Sequence, residues 1–438
     1  VFDTTILGSN PSAPAKIMKI LNPKINLLEK IKNIFFPFYK KKEIREIFNI
    51  FEKDREDERV AMFVGGCVRD YLNNIKVNDI DIATILSPEE IKEKFKKTKI
   101  KVIETGIEHG SVTLLNGKFK FEVTTLRKDI KTDGRHAEVS FTDDWQEDSN
   151  RRDFTINAIY MDCKGKIFDP QSGVNNLKNN FVKFIGDPVQ RIEEDYLRII
   201  RFIRFVLQYN SHIEKSTLEA INTSLVGIKN ISKERILNEL FKILSLKNFF
   251  SITNHKNLQV IFSLIFPELK YLERLSKIKN LSSKFFLKRK ILLAIMLIDE
   301  SNNYEYFCHK YKVSNIIKIK LKDLHKAFLN HQNDKDYFTK NLKKNIFYHG
   351  KEKLKELNII VFFIFKEINF KDYLKISENI GKIKIPKFPY DGNYLLSKNL
   401  IEGKKMGLAL ETLKKVWVDN NYTLTKEQET EIINKLKN

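Results

Sequence analysis

Asp79 and Asp81, two aspartates separated by one residue, have the spacing in this sequence that most directly suggests chemistry. They lie in a short run that the pattern predicts as a strand. Side chains at i and i+2 of a strand share a face, so the two carboxylates are expected side by side. Neighbouring carboxylates repel each other and need a cation, and Mg²⁺ commonly binds one or two carboxylates together with substrate phosphates. The pair predicts a Mg²⁺ site, although a lone Asp-x-Asp is more often a solvated edge.

A Gly-Gly turn precedes the aspartates. Residues 60–64 are an apolar run typical of a buried strand, and Gly65 and Gly66 follow it, with Arg69 in a predicted short helix. Glycine lets backbone N–H groups approach an anion at a strand-to-helix turn. Gly-Gly alone is usually only a turn. The full order of strand, Gly-Gly, helix, strand and Asp-x-Asp is much more specific and favours a functional interpretation of both motifs.

Glu122 is a candidate third carboxylate. Asn-Gly at residues 116–117 separates two alternating runs and predicts a hairpin whose second strand spans residues 118–125. The apolar side chains of that strand would face inward, and Glu122 belongs to the other face. It would lie beside Asp79 and Asp81 if the two strands are neighbours. An exposed, solvated glutamate fits equally well, because alternation does not fix the register.

A second motif, Arg-Arg-Asp-Phe-Thr-Ile-Asn-Ala, occupies residues 151–158. Its arginines suit phosphate, since a guanidinium is a planar, permanently charged fork, and we single out Arg152. Asp153 and Asn157, at i and i+4, are expected on one face of a helix, where both could hydrogen-bond a ribose hydroxyl. The alternative is a helix N-terminus held by surface ion pairs.

Other patterns predict the elements around these motifs. Ser87 and Glu90 match a capping box for a helix that continues to Phe95. Residues 128–145 are polar and suggest a mobile loop that returns to a strand. Beyond Leu244 the pattern is helical and rich in lysine. Apolar residues at i, i+3, i+4 and i+7 predict one further amphipathic helix: Ile44, Ile47, Phe48 and Phe51.

Length and composition narrow the class of protein. The 438 residues are enough for several domains, and 42% hydrophobic residues are enough for their cores. The net charge of +22 favours a polyanionic partner, although general lysine enrichment explains part of it. No apolar run reaches the ~18 residues of a membrane span, so no membrane partner is expected. Three scattered cysteines indicate a reducing compartment. Residues 1–17 read as a flexible leader without the order of a secretion signal.

These motifs together resemble a known family. The segments GGCVRDYL, NDIDIAT and RRDFTINA are similar to the head shared by tRNA CCA-adding enzymes of the bacterial and eukaryotic class and by bacterial poly(A) polymerases. The resemblance implies an α+β fold: an N-terminal polymerase-β-like nucleotidyltransferase head with a mixed sheet, followed by an all-α neck, body and tail. The predicted domains are residues 1–40 as leader and N-terminal helix, 41–170 as head, 171–250 as neck, 251–340 as body and 341–438 as tRNA-binding tail.

A third motif, in residues 191–205, carries Asp195 and Arg198 on a predicted continuous helix. An i, i+3 ion pair worth only ~0.3–0.5 kcal/mol is the simple explanation. The alternative is base recognition. Cytosine and adenine each present an amino donor beside a ring-nitrogen acceptor, which a carboxylate and a guanidinium complement. Uracil and guanine present the reverse order and would leave buried polar groups unpaired. In the resembling family, Glu-Asp-x-x-Arg has this role, here Glu194, Asp195 and Arg198.

The resemblance implies an activity and its residues. The expected reaction is template-independent addition of CCA to tRNA 3′ ends from CTP and ATP, with two Mg²⁺ ions on Asp79 and Asp81 and with Glu122 as third carboxylate. Alternatives are a poly(A) polymerase and a non-catalytic RNA-binding protein on the same fold. The family also has a nucleotide-switching loop where Asp133, Arg135 and His136 stand. We expect a cytoplasmic protein, with the mitochondrial matrix as alternative, and leave its oligomeric state open.

Overall fold

The computed structural model describes residues 36–53, 59–132, 137–280, 287–398 and 403–437. The chain divides into two compact units, the first ending at Ser232 and the second beginning at Lys233. The predicted leader lies outside the described residues, and so do Asp133, Arg135 and His136 of the predicted switching loop.

The first unit is built on a mixed sheet. Seven of its described strands form one sheet in the order β3-β4-β5-β2-β1-β8-β9, and β6 and β7 form a separate two-stranded sheet. Only β2 and β5 of the large sheet are paired in parallel among the described strands. The strands are β1 (Ala61–Val64), β2 (Ile80–Thr84), β3 (Lys101–Gly106), β4 (Ser111–Asn116), β5 (Phe119–Thr125), β6 (Arg127–Thr132), β7 (Ala137–Phe141), β8 (Tyr160–Met161) and β9 (Ile167–Phe168).

The centre of the sheet is apolar because its strands alternate or are buried on both faces. Every residue of β1 is buried, and β2 buries Ile80 and Ile82. The predicted hairpin is confirmed: β4 and β5 pair through Asn116 and Phe119, and Gly117 takes a φ of +57° in the turn. This left-handed conformation favours glycine. The hairpin therefore sets the register that carries Glu122.

Helices cover this sheet. The amphipathic helix predicted from Ile44 to Phe51 is α1, and all four apolar residues of its stripe are buried. The Ser87–Glu90 capping box is present at the start of α3. The helices of the first unit are α1 (Lys42–Glu52), α2 (Gly66–Leu72), α3 (Pro88–Phe95), α4 (Trp145–Asn150), α5 (Gly173–Lys178), α6 (Pro188–Glu194), α7 (Leu197–Tyr209) and α8 (Lys215–Ser224).

The predicted continuous helix over residues 191–205 is wrong. The chain leaves the helix at Asp195, whose φ of −157° and ψ of 102° are extended, and α7 starts two residues later. The Asp195 carboxylate accepts the backbone N–H of Leu197 at 3.1 Å. Aspartate favours such positions, since its side chain satisfies backbone donors that a helix start leaves free.

The helix predicted from the Arg-Arg-Asp motif is also wrong. Phe154 forms an isolated antiparallel bridge with Phe184, and only Thr155–Asn157 makes a 3₁₀ turn. The backbone N–H of Thr155 donates to the carbonyl of Lys183 at 3.0 Å. Pairing with this later segment, which spacing within the motif cannot reveal, replaces the helical hydrogen bonds.

The mobile loop predicted to begin at residue 128 is a strand there, β6, whereas the strand to which the loop was expected to return is present as β7. β6 and β7 pair antiparallel from Arg127 and Phe141 to Thr132 and Ala137. A backbone ladder does not require apolar side chains, so the charged composition concealed β6. Residues 133–136, which connect them, lie outside the described part of the chain.

The second unit is helical throughout its described residues, apart from turns and connections. Its α11 is almost entirely buried and forms the centre of the unit. No described helix of the chain is both long and apolar enough to cross a bilayer. The helices are α9 (Lys233–Leu244), α10 (Lys256–Ile265), α11 (Arg289–Leu297), α12 (Asn303–Lys310), α13 (Asn315–Asn333), α14 (Leu342–His349), α15 (Lys351–Ile364), α16 (Phe370–Lys382), α17 (Gly392–Ser397), α18 (Lys404–Asp419) and α19 (Lys426–Lys437). The mixed sheet followed by helices confirms the predicted α+β class.

Candidate active site

The Gly-Gly turn and the aspartates meet because β1 and β2 are antiparallel neighbours. Phe63 pairs with Ile82, so the end of β1 adjoins the start of β2. Gly65 has a φ of +69°, which favours glycine. A Cβ on Gly66 would lie 3.8 Å from Oδ2 of Asp81 and 3.9 Å from Nη2 of Arg69. The missing side chain thus leaves a space between a carboxylate and a guanidinium.

Glu122 lies next to Asp81. The parallel pairing of β2 with β5 places these two residues opposite each other in register. The side chain of Glu122 is 62% exposed and forms an ion pair with Lys120 at 2.6 Å. Glu122 is therefore both beside Asp81 and exposed to solvent, so the structure combines the two arrangements that the sequence left open.

The electrostatics of Asp81 are unfavourable to its charge. Burial raises its pKa to about 6, and the charge of Glu122 acts in the same direction, whereas the charges of Arg152 and Arg69 oppose the shift. Asp79 is exposed immediately before β2 and adds a smaller upward effect. Burial raises the pKa of Asp70 as well; Arg69 opposes that shift, and Asp79 adds to it. A cation bound here would relieve the repulsion.

The donor set fits a hard cation. Asp79, Asp81 and Glu122 offer carboxylate oxygens, the ligands that Mg²⁺ prefers, and Asp81 lies beside the Gly66 space. Among the described residues, no three His, Cys, Asp or Glu side chains are arranged as a complete metal site. A partial shell is compatible with Mg²⁺, which usually retains waters and binds substrate phosphates.

Arg69 is held from three directions. Its Nε donates to the hydroxyl of Tyr209 at 3.2 Å, and its Nη1 donates to Oδ1 of Asn157. Its guanidinium carbon lies 5.0 Å from the ring centroid of Phe205, a cation–π distance. These contacts leave Nη2, on the side of Gly66, for a ligand.

Arg152 is clamped by a buried carboxylate. Its Nε and Nη2 donate to Oδ2 of Asp148 at 3.1 and 2.9 Å, and its Nε also reaches the Tyr160 hydroxyl at 3.0 Å. Burial alone would raise the pKa of Asp148, but the charges of Arg152 and Arg151 hold it well below its usual range. The guanidinium therefore acts on Asp81 through its charge, while its donors serve Asp148, Tyr160 and the backbone.

Asp153 and Asn157 meet as expected, without a helix. Nδ2 of Asn157 donates to Oδ1 of Asp153 at 2.6 Å, and Arg201 donates to Oδ2 of Asp153 at 2.7 Å. Burial would raise the pKa of Asp153, but the charge of Arg201 and the hydrogen bond from Asn157 lower it. Both residues are buried, at 8% and 7% exposure, and Asn157 connects the pair to Arg69.

Asp195 and Arg198 are close in sequence, but the structure shows Arg198 bonded elsewhere. Its Nη1 donates to Glu194 at 2.6 Å and to the carbonyl of Arg191 at 2.9 Å. Its Nη2 donates to the carbonyl of Arg151 at 3.3 Å. Arg198 thus forms an i, i+4 ion pair with Glu194 in place of the i, i+3 pair with Asp195 that the spacing suggested. Its hydrogen bond to the carbonyl of Arg151 connects α7 to the Arg-Arg-Asp segment.

Sequence reasoning missed three residues that hold the site: Asp148, Arg201 and Tyr209. Two of them carry a signal in the sequence. Asp148 is four residues before Arg152, an ion-pair spacing, and Arg201 follows Arg198 by one helical turn. Tyr209 gives no such signal, because its partner Arg69 is 140 residues away.

Family models match two parts of this chain. A family model described as "Poly A polymerase head domain" matches residues 61–183. A second, described as "Probable RNA and SrmB- binding site of polymerase A", matches residues 212–272. The solved structure of a Bacillus stearothermophilus CCA-adding enzyme in complex with CTP has a TM-score of 0.69 at 23% identity, covering 90% of this chain and 98% of that one. At this identity the likeness establishes the fold.

Relatives establish the family. The human mitochondrial CCA tRNA nucleotidyltransferase 1 is 32% identical over 406 residues, which cover 88% of each chain. The CCA-adding enzyme of Staphylococcus haemolyticus is 36% identical over 290 residues, covering 65% of this chain and 70% of its own. The segments that suggested the resemblance lie within the matched head. The chain belongs to the family of CCA tRNA nucleotidyltransferases, which are enzymes.

Proposed function

We propose that this enzyme adds C, C and A to the 3′ end of tRNA, using CTP and ATP and no nucleic-acid template. The observation that carries the proposal is the Gly66 space, bordered by Asp81 on one side and Arg69 on the other. A nucleoside triphosphate needs both a cation site and a fixed guanidinium. Similarity to the human enzyme along 88% of both chains supports the choice of substrate.

The proposed catalytic carboxylates are Asp79, Asp81 and Glu122, with Asp79 and Asp81 as ligands of two Mg²⁺ ions. The support is electrostatic: the pKa of Asp81 is raised to about 6 by burial and by Glu122, although Arg152 and Arg69 oppose the shift, so a bound cation would favour the charged carboxylate. Bound divalent ions would make the tRNA 3′-hydroxyl more acidic and stabilise charge on the phosphates. The hydroxyl oxygen attacks the α-phosphorus of the nucleotide, and pyrophosphate leaves.

We propose that Gly65, Gly66 and Arg69 hold the triphosphate. Gly65 and Gly66 begin α2, where backbone N–H groups can meet an anion without a side chain in the way. Arg69 supplies Nη2 from the opposite side. Arg152 adds positive charge from its buried position.

We propose that Asp153 and Asn157 form the ribose side of the pocket, and that Asp195 and Arg198 read the base. Asp195 lies at a break between helices, where its backbone is extended between α6 and α7. Arg198 is oriented by Glu194. A carboxylate and a guanidinium together complement cytosine and adenine, so one pocket serves both nucleotides.

The remaining proposals concern partners and organisation. The net charge of +22 and the helical second unit suit tRNA, in line with the proposed neck (residues 171–250), body (251–340) and tail (341–438). The human relative is named mitochondrial, so we favour the mitochondrial matrix over the cytoplasm. Imaging of the tagged full-length protein tests this choice.

The experiment that tests the function uses purified protein, Mg²⁺ and a tRNA that lacks its last three nucleotides. We expect two additions with CTP, a third when ATP is also present, and none with UTP or GTP. A long A-tract from ATP alone would instead identify a poly(A) polymerase, the activity in the family-model description. No Mg²⁺-dependent incorporation of any nucleotide would leave a non-catalytic RNA-binding protein.

A further inference from the structure

Helix α7 presents one polar and aromatic stripe towards the candidate site. Arg198, Arg201, Phe205 and Tyr209 are spaced by three, four and four residues, so they fall within roughly 80° of the helix circumference. The opposite face of α7 is packed in the core through residues such as Ile199 and Ile203. The stripe is therefore a second functional face of a helix whose other side is buried.

Two members of this stripe close a ring of hydrogen bonds. Arg201 donates to Asp153 at 2.7 Å, and Asp153 accepts from the amide of Asn157 at 2.6 Å. The amide oxygen of Asn157 accepts from Arg69, which donates to Tyr209 at 3.2 Å. This series of hydrogen bonds starts at Arg201 and ends at Tyr209, eight residues later on α7, and the helix between these two positions closes the ring.

The amide of Asn157 fixes which groups donate and which accept along the ring. An amide has a donor end and an acceptor end, and here the NH₂ meets a carboxylate while the oxygen meets a guanidinium. A reversed amide would place donor against donor at Arg69 and acceptor against acceptor at Asp153. The orientation of Arg69 is therefore linked to that of Asp153.

Phe205 adds an apolar support under the ring. Its side chain is 1% exposed, and the guanidinium carbons of Arg69 and Arg201 lie 5.0 and 6.0 Å from its ring centroid. A planar cation over an aromatic face is attracted to it and loses freedom to rotate. Arg69 is thus restrained by Phe205, Tyr209 and Asn157, all outside its own helix.

We propose that Tyr209 is a positioning residue that fixes Arg69 for the triphosphate, with Arg201 anchoring the other end of the ring. The inference rests on the proposed function. It goes further because it gives α7 two roles. The helix carries Arg198, which is proposed to read the base, and through Tyr209 it positions Arg69, which is proposed to bind the triphosphate. Tyr209 acts through Arg69 and touches no part of the base, so its effect must be the same for CTP and ATP.

The test compares Tyr209→Phe with the wild-type enzyme. We expect the KM for CTP and the KM for ATP to rise by the same factor, about fivefold, as one hydrogen bond is lost. Rejection of UTP and GTP, and binding of tRNA, stay unchanged. A matched control is Tyr271→Phe, which removes a hydroxyl bonded to Asp299 at 2.9 Å in the second unit and leaves both KM values unchanged.

The decisive measurement repeats Tyr209→Phe in an Arg69→Met background. Methionine has no side-chain N–H to donate to Tyr209, so the second substitution should then change nothing. Equilibrium binding of CTP without tRNA gives a readout independent of turnover. An unchanged KM in Tyr209→Phe, unequal shifts for CTP and ATP, or the same fivefold loss in both backgrounds would overturn the proposal.

The outcomes also separate this inference from the proposed function. If Arg69→Met alone, which removes both the charge and the donors, leaves CTP binding unchanged, the triphosphate role of Arg69 is wrong, whatever Tyr209 does. Arg201→Lys serves as a second variant: it keeps the charge opposite Asp153 but loses the two-donor fork. We expect it to shift both KM values equally and by less than Tyr209→Phe, and unequal shifts would contradict the ring.

Discussion

Asp81 and Asp148 are two buried or half-buried carboxylates of the same unit, and their surroundings affect them in opposite ways. Burial and Glu122 raise the pKa of Asp81 to about 6, despite Arg152 and Arg69. Asp148 is fully buried, yet Arg152, Arg151 and Tyr160 hold its pKa well below its usual range. The charge of Asp148 is balanced by partners that the protein already supplies. The charge of Asp81 has too few such partners within the protein.

The difference separates two uses of a buried charge. A carboxylate whose partners are complete contributes to the fold, because its desolvation is offset by charged hydrogen bonds. A carboxylate left among like charges costs stability unless a ligand brings a cation. Arg152 belongs to both environments: it is the ion-pair partner of Asp148 and a charge that acts on Asp81. Removing the charge of Asp81 should therefore raise the free energy of unfolding, whereas removing the charge of Asp148 should lower it.

The largest effect is expected from Asp81→Asn. Incorporation should fall on the order of 10³-fold or more, because the cation site loses a ligand worth several kcal/mol in the transition state. The fold should become more stable at pH 7 by about 1–3 kcal/mol, since the raised pKa shows that the charge is unfavourable there. Urea unfolding and a single-nucleotide incorporation assay measure the two effects. The control Glu104→Gln alters an exposed carboxylate of β3 and should change neither.

Asp148→Asn should show the reverse signature, a loss of about 3–5 kcal/mol in unfolding free energy from breaking a buried ion pair. The folded-state pKa of Asp148 is below its value of about 3.9 in the unfolded chain. Its charge therefore stabilises the fold fully above pH ~4, and this contribution shrinks progressively as the pH falls from ~4 towards the much lower folded-state pKa. Unfolding followed from pH 7 to pH 3 should show a constant gap in stability between the two proteins down to pH ~4 and a narrower gap at pH 3. A gap that does not narrow below pH ~4, or an equal gap for exposed Asp143→Asn, would contradict this.

Tyr160→Phe makes a smaller change in the same cluster. The hydroxyl donates to Oδ2 of Asp148 at 2.7 Å and accepts from Arg152 at 3.0 Å. Its loss should cost about 1.5–3 kcal/mol of stability, as for other hydrogen bonds to charged groups. Thermal unfolding beside Tyr306→Phe, where the side chain is 60% exposed, provides the comparison. Equal midpoints for the two variants would mean that Asp148 does not need the hydroxyl.

The smallest effect is expected from Lys120→Thr. It removes the exposed ion pair with Glu122, whose side chains are 58% and 62% exposed. Exposed pairs contribute little, since solvent and salt screen them. We expect no resolvable change in the unfolding midpoint at 0.15 M salt. A drop as large as that of Tyr160→Phe would remove the distinction between exposed and buried charge pairs.

The sequence allowed much of the head to be predicted. The order of strand, Gly-Gly, helix and Asp-x-Asp is local, and so is the hairpin that carries Glu122; each depends on patterns within a few residues. The register of Asp81 with Glu122 could only be left open, because it depends on which strands become neighbours.

Two of the failures share one cause. The Arg-Arg-Asp motif lacks a helix because the backbone of Phe154 pairs with Phe184, and Tyr209 gains its meaning from a partner 140 residues away. Such pairings are tertiary, and neither spacing nor propensity records them. The break at Asp195 is a local feature, and its signal was available: aspartate prefers to start a helix rather than to continue one.

The ring of five side chains from Arg201 to Tyr209 has a consequence for how such a site can change over generations. Each member uses donors or acceptors that its neighbours in the ring complete, so replacing one leaves a polar group of the next without that partner. Drift at one position is then tolerated only with a matching change at the next. Across the family we expect Arg69, Asp153, Asn157, Arg201 and Tyr209 to be inherited as a set, and to be exchanged, where they are exchanged at all, in pairs.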